Sequence, residues 1–196
     1  MRRDIPRLLI FVLLVALFPG RAAAACRQAL ALGLDVSGSV NAREYRLQLD
    51  GLANALRSPD VRAALLAMPE APVALSVFEW SGPGHRKQIL PWTSIDGESV
   101  LMAISETLSA TQRQPAEAST AVGLAMQYGA DLLSNRAGCW KLTLDLSGDG
   151  KSNSGPRPRD VSGDRRFDRV TVNALVVGTD APIAADGRQS EIAVLS

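Results

Sequence analysis

Residues 29–40 read ALALGLDVSGSV, and this stretch decides which fold the chain adopts. Its first half is a short apolar run, which is typical of a strand buried in a parallel sheet. The run ends at Asp35, and Ser37 and Ser39 follow it in a D-x-S-x-S pattern. Three oxygen-bearing side chains therefore project from one tight loop at the carboxyl end of the first strand. Divalent cations such as Mg²⁺ and Ca²⁺ prefer oxygen ligands, so this loop is a candidate metal site.

The rest of the chain alternates between helical and strand-like patterns. Asn41 can cap a helix that continues to Leu56, and residues 73–80 and 86–90 form a hairpin around a Gly-rich turn. Strands that alternate with helices predict an α/β fold with a doubly wound, mostly parallel sheet and one antiparallel edge strand. The remaining expected elements are helices at 96–108, 120–133 and, more weakly, 160–167, and strands at 140–146 and 170–177.

The direction of each element indicates which loops meet. If the first strand runs up to Asp35, then the loop before Thr120 and the loop after residue 146 also lie at the top of the sheet. Asp149 is in the second of these loops. Ligands of open α/β sheets bind at this carboxyl edge. Three polar loops that are distant in sequence are therefore predicted to converge at one site.

These residues together resemble a known site. Asp35-x-Ser37-x-Ser39, then Thr120, then Ser147-Gly-Asp149-Gly look like the metal-ion-dependent adhesion site of von Willebrand A domains and integrin inserted domains. Longer runs, 34–40, 79–82 and 146–150, resemble an uncharacterised group of exported bacterial proteins with this domain. The resemblance covers about residues 29–178, and the antiparallel edge strand is also a feature of the family fold.

The resemblance implies a role for each residue of the site. Ser37 and Ser39 would bind the metal directly, and Thr120 would bind it directly or through water. Asp35 and Asp149 would act mostly through water or as acceptors behind the ligands. Mg²⁺ is the expected ion, with Mn²⁺ or Ca²⁺ as alternatives. One coordination position would stay open for the Asp or Glu carboxylate of a protein partner, because few direct carboxylates leave the cation electrophilic.

Simpler interpretations exist for several of these residues. Capping of the following helix could be the whole role of Asp35 and Ser39, but capping does not account for Thr120 and Asp149. Asp145 is either an acceptor behind the metal ligands or an outward-facing strand residue, and Glu79 either flanks the site or is solvated.

The main alternative function is a metal-dependent hydrolase, for which Asp145 or Glu79 would have to be the general base. A third hypothesis is a structural domain whose metal ties loops together. The single histidine, His85, is expected in a solvated turn, and no G-x-S-x-G elbow or phosphate-binding loop is present. We therefore expect a binding module and not an enzyme.

The first 25 residues have the pattern of a secretory signal peptide, with arginines, then an apolar run over 8–18, then small residues. We expect an exported, periplasmic or extracellular protein; acylation of Cys26 as a lipoprotein is a minor alternative. The run is shorter than the ~20 residues that span a bilayer. Without this segment, 17 basic and 19 acidic side chains remain. The sequence has no basic patch with interleaved aromatic residues, so nucleic acid is not an expected partner. Cys26 and Cys139 are a candidate disulfide in an oxidising compartment.

The expected domain covers residues 26–196. Domains that this sequence resembles usually continue with another helix, strand and terminal helix, whereas this chain ends at Ser196, just as a helix near Gln189 begins. We therefore expect a domain that is truncated at its C-terminus, or else a minimal one. In the integrin-like domains that this sequence resembles, displacement of the final helix tunes the affinity of the metal site. We do not expect this kind of regulation in a chain without that helix.

Overall fold

The computed structural model describes residues 25–148 and 151–176. The predicted signal peptide apart from Ala25, the candidate ligand Asp149 and the C-terminal segment after residue 176 lie outside the described residues. The strands are β1 (Gln28–Asp35), β2 (Val73–Trp80), β3 (Arg86–Ile95), β4 (Lys141–Gly148) and β5 (Val170–Val176). The helices are α1 (Ala42–Arg57), α2 (Pro59–Leu66), α3 (Glu98–Ala110), α4 (Val122–Ser134) and the single turn α5 (Pro158–Val161).

The five strands form one sheet in the order β3-β2-β1-β4-β5. β1 pairs in parallel with both β2 and β4, β4 pairs in parallel with β5, and β3 is antiparallel to β2. The predicted doubly wound sheet with one antiparallel edge strand is confirmed. Because the chain goes from β1 to β2 on one side and later to β4 on the other, the winding reverses at the carboxyl end of β1. Doubly wound sheets bind ligands at this reversal.

Helices cover both faces of the sheet, as expected. On one face α1 and α3 pack through Tyr45, Leu49, Leu101 and Ile104, all of which are buried. On the other face α4 packs against β4, with Leu133, Leu144 and neighbouring residues in a second core. β2 is buried along its whole length between the two layers, because it has a strand on each side and helices above and below.

Some predicted elements have different bounds in the structure. Helix α2 was not predicted, because its eight residues have no strong apolar face; Pro59 occupies the first helical position, where its missing N–H is not needed. Helix α4 begins at Val122 and not at Thr120, so Thr120 lies in the preceding loop. The single helix expected over 160–167 is wrong: α5 and a separate 3-10 turn at Arg165–Phe167 occupy this region. His85 is in the hairpin turn, but it is half-buried.

The predicted disulfide between Cys26 and Cys139 is present, and the Cα atoms of the two cysteines are 4.6 Å apart. Each cysteine precedes the amino end of a strand, β1 or β4, so the bridge ties two neighbouring strands at the edge opposite Asp35. Across the part of the chain that the structure describes, no helix has the length and apolar character needed to cross a membrane.

Candidate functional site

Three of the candidate ligands lie close together where β1 ends: Asp35 is the last residue of β1, and Ser37 and Ser39 are in the loop between β1 and α1, residues 36–41. The Asp35 side chain is 1% exposed, and its Oδ1 atom accepts a hydrogen bond of 2.8 Å from the backbone N–H of Ser37. The Ser37 side chain is fully buried, and its Oγ lies 3.2 Å from Oγ of Ser39. A carboxylate and two hydroxyls are therefore gathered at the carboxyl end of β1, as the sequence pattern predicts.

Thr120 lies in the loop between α3 and α4, residues 111–121, and is 4% exposed. Asn153, in the segment between β4 and α5, binds the backbone of Thr120. The Thr120 N–H donates to Oδ1 of Asn153 at 2.9 Å, and the Thr120 carbonyl accepts the N–H of Asn153 at 2.9 Å. The Thr120 hydroxyl makes no hydrogen bond with any residue that the structure describes. The threonine is therefore held through its main chain, which leaves its side-chain oxygen for another ligand.

The β1–α1 loop and the α3–α4 loop are in direct contact. The N–H of Gly38 donates to the carbonyl of Ala118 at 3.1 Å, two residues before Thr120. A Cβ atom on Gly38 would lie 3.0–3.1 Å from three atoms of Ala118, so the close approach needs glycine here. The structure thus brings the loop of Asp35, Ser37 and Ser39 against the loop of Thr120, although about 80 residues separate them in sequence.

The fifth candidate, Asp149, lies outside the described residues. The residue before it, Gly148, ends β4, and a Cβ atom on Gly148 would lie 3.4 Å from Oδ2 of Asp35. The chain therefore reaches Asp149 from a position adjacent to the Asp35 carboxylate. The assignment of Asp149 to the site stays a prediction.

The two other acidic candidates face away from Asp35. Glu79 is the β2 partner of Leu34 and Asp145 is the β4 partner of Leu32, whereas Asp35 is the partner of Trp80. Because side chains alternate between the faces of a sheet, Glu79 and Asp145 project from the α1 face and Asp35 from the other.

Both of these carboxylates have other partners. Oε1 of Glu79 accepts the Tyr45 hydroxyl at 2.5 Å, and Oδ1 of Asp145 accepts an amide hydrogen of Asn173 at 2.6 Å. Burial and the hydrogen bond to Glu79 raise the pKa of the Tyr45 phenol well above its ordinary value. Tyr45 therefore stays protonated and remains a donor to Glu79.

Sequence reasoning missed three residues that organise the site. Nη2 of Arg113 donates to the carbonyls of Val36, Ser37 and Val40, and Asn153 binds both backbone groups of Thr120. Gln48 of α1 connects the carbonyl of Asp35 to the Ser147 hydroxyl, at 3.1 and 2.9 Å. Arg113 and Asn153 lie in polar loops without periodicity, so local patterning contained no signal for these contacts.

The chemistry of the donor set suits a hard divalent cation. The buried Asp35 carboxylate supplies one negative charge, and Ser37, Ser39 and Thr120 supply neutral hydroxyl oxygens from two loops that are in contact. The described residues contain no group of three His, Cys, Asp or Glu side chains that could hold an ion, so the candidate ligands among them are mainly hydroxyl oxygens. The residues present fit an oxygen-ligated divalent cation.

Solved structures with similar folds identify the class. Over 79% of this chain and 38% of the other, the chain resembles proximal thread matrix protein 1 from the mussel byssus, with a TM-score of 0.59 and 18% identity. A von Willebrand factor type A protein from Catenulispora acidiphila matches with a TM-score of 0.54 and 15% identity, over 76% of this chain and 33% of that one. The chain thus spans 38% of the first protein and 33% of the second. The fold is that of a von Willebrand A domain.

The family follows from the sequence. The model of the family described as "Protein of unknown function (DUF1194)" matches residues 25–191, and the chain belongs to this family. No curated protein matches it. One further structure of the mussel protein, with a TM-score of 0.51 and 20% identity over 80% of this chain and 37% of that one, has a zinc-occupied MIDAS motif, the metal-ion-dependent adhesion site.

Proposed function

We propose that this chain is an exported binding module that holds a divalent cation, Mg²⁺ in the first place, and uses it to capture an acidic group of a protein partner. The observation that carries the proposal is the contact between two distant loops at the carboxyl end of β1. This contact brings Asp35, Ser37 and Ser39 next to the segment of Thr120. The fold and the zinc-occupied site of the mussel protein support the same function.

The proposal assigns different roles to the hydroxyl and carboxylate side chains of the site. The hydroxyls of Ser37, Ser39 and Thr120 are the proposed direct ligands, and Asp35, with Asp149, supplies the negative charge behind them. A bound cation would supply electrophilic attraction for a carboxylate. Because the hydroxyls are neutral, they leave more of the positive charge uncompensated than a set of carboxylate ligands would. This arrangement favours an acidic partner over a neutral one.

The hydrolase alternative gains no support from the site. Its two candidate bases, Glu79 and Asp145, project from the sheet face opposite Asp35 and are hydrogen-bonded to Tyr45 and Asn173. A general base must come within hydrogen-bond reach of the proton that it removes. Both carboxylates are instead hydrogen-bonded to residues on their own side of the sheet.

Calorimetry tests the metal half of the proposal. Titration of Mg²⁺ and of Mn²⁺ into the folded protein is expected to show one site with a Kd on the order of a millimolar or tighter. Thr120→Val, which keeps the shape of the side chain and removes the hydroxyl, is expected to weaken binding by about tenfold or more. Thr107→Val, on the exposed side of α3, is the matched control and should bind as the wild type does. A folded wild type that binds neither ion would refute the proposal.

Capture from a cell-envelope extract tests the partner half. The wild type in Mg²⁺ is expected to retain a protein that it releases in chelator and that Asp35→Ala/Ser37→Ala does not retain. Blocking the carboxylates of the extract with a carbodiimide and an amine should abolish the capture, because the proposed contact is an Asp or Glu side chain. Capture that persists without metal would show that another surface binds the partner.

A further inference from the structure

The contacts of Arg113 extend across the α3–α4 loop to the backbone of the β1–α1 loop. Its Nη2 atom donates to the carbonyls of Val40 at 2.9 Å, Val36 at 3.1 Å and Ser37 at 3.4 Å. These carbonyls belong to a tight turn between a strand and a helix. The carbonyl of Ser37 also accepts the backbone N–H of Val40 at 3.1 Å, so the main contribution of Arg113 is to the carbonyls of Val36 and Val40. One side chain therefore supplies donors at both ends of the turn that presents Ser37 and Ser39.

The position of Arg113 also couples two parts of the site. Arg113 lies seven residues before Thr120 in the same loop, and Ala118 of this loop accepts the N–H of Gly38. The two loops are thus joined both by Arg113 and by the Gly38–Ala118 hydrogen bond. A charged donor makes stronger hydrogen bonds than a neutral one, so Arg113 is the stronger of these two connections.

We propose that Arg113 is the positioning residue of the cation site: it holds the Ser37–Ser39 turn against the Thr120 segment, so that hydroxyls from both loops face one ion. This inference rests on the proposed metal binding. Arg113 does not touch the ion in this scheme, and its own charge opposes cation binding. The structural effect of Arg113 and its electrostatic effect on the ion therefore have opposite signs.

The opposite signs make the substitution Arg113→Met diagnostic. Removal of a positive charge near the site would by itself strengthen the binding of Mg²⁺, whereas release of the turn would weaken it. We expect about tenfold weaker binding of Mg²⁺ and Mn²⁺ by calorimetry, since several charge-assisted hydrogen bonds are lost. Arg113→Lys is expected to restore part of the affinity, because an ammonium group has three donor hydrogens.

Arg46→Met is the matched control. Arg46 donates to the carbonyl of Thr111 at the start of the same loop and to that of Ser109 in the last turn of α3, and it also pairs with Asp50. It carries the same charge as Arg113 but is not bonded to the β1–α1 loop. We expect wild-type affinity in this variant, and a metal-free melting temperature at least as low as that of Arg113→Met. The three results together would distinguish positioning of the site from general stabilisation of the loop.

Several outcomes would overturn the inference. Affinity in Arg113→Met that equals or exceeds that of the wild type would do so while the proposed metal site stands. Equal weakening in Arg46→Met would assign the effect to the loop as a whole and would also overturn it. Absence of metal binding in the folded wild type would refute the proposed function together with this inference.

Discussion

At the scale of single residues, the surroundings of each carboxylate separate its role from those of the others. Asp35 is buried and accepts the N–H of Ser37, so it stabilises the turn in addition to its proposed role as a negative charge behind the metal ligands. Glu79 is equally buried but lies on the other face of the sheet, bound to Tyr45. A buried carboxylate without donors is costly, which explains why each has a partner close by.

The pair of Tyr45 and Glu79 leads to a prediction about stability. Tyr45→Phe removes the hydroxyl that donates to Glu79, so a buried carboxylate oxygen loses its donor. We expect the free energy of unfolding to fall by about 1–3 kcal/mol, measured by urea denaturation. Tyr128→Phe is the matched control: Tyr128 packs edge-on against Phe78, and its hydroxyl bonds with no described residue. Equal effects of the two substitutions would show that the hydrogen bond to Glu79 adds no stability.

At the scale of elements, the same small residue has different functions in the two long helices beside the site. Gly51 lies on the exposed side of α1, and apart from its chain neighbours and the adjacent backbone of α1 no described atom is within 4 Å of where its Cβ would be. Gly123 lies in the first turn of α4, and a Cβ there would be 2.2 Å from the carbonyl oxygen of Pro156. Helix α4 is thus packed against the backbone of the segment that carries Asn153, which binds Thr120.

This difference predicts opposite effects for one substitution. Gly51→Ala is expected to raise the free energy of unfolding by about 0.5–1 kcal/mol, because alanine favours an exposed helix interior. Gly123→Ala is expected to lower it by about 1–3 kcal/mol, because the backbone of Pro156 must move. Thermal denaturation of the two variants beside the wild type measures both effects. Destabilisation by both substitutions, or by neither, would contradict the packing described for these helices.

At the scale of the whole molecule, the two ends of the parallel strands have different features. The carboxyl ends of β1 and β4 meet at the candidate metal site, and their amino ends are joined through Cys26 and Cys139. The disulfide closes a loop of 113 residues, which restricts the unfolded chain strongly. We therefore expect the stabilisation by the disulfide and the proposed metal binding to depend on opposite ends of these strands.

The separation of the two edges is testable. Cys26→Ser/Cys139→Ser is expected to lower the free energy of unfolding by about 2–5 kcal/mol. At a temperature where the variant remains folded, its affinity for Mg²⁺ should equal that of the wild type, because the cysteines are distant from Asp35 along the strands. A folded variant with reduced metal affinity would indicate that the two edges are coupled.

The sequence predicted much of the fold because its signals are local. The apolar run before Asp35, the Gly-rich hairpin turn and the helical spacing after Asn41 are short-range features, and the structure has the corresponding strand, hairpin and helix. Helix α2 was missed because it has no strong amphipathic pattern, and the 160–167 segment was predicted as one helix although it breaks after Val161. Element ends depend on tertiary contacts more than on propensity.

The sequence by itself determined which oxygen-bearing side chains follow strands, and therefore that Asp35, Ser37, Ser39 and the Thr120 segment are at one edge of the sheet. Only the tertiary structure decided that Glu79 and Asp145 project from the opposite face, and that Arg113 binds carbonyls 73–77 residues away. The physical reason is that strand alternation and helical periodicity are properties of neighbouring residues. The side of the sheet from which a given side chain projects, and the path of a loop, depend on how separate elements pack.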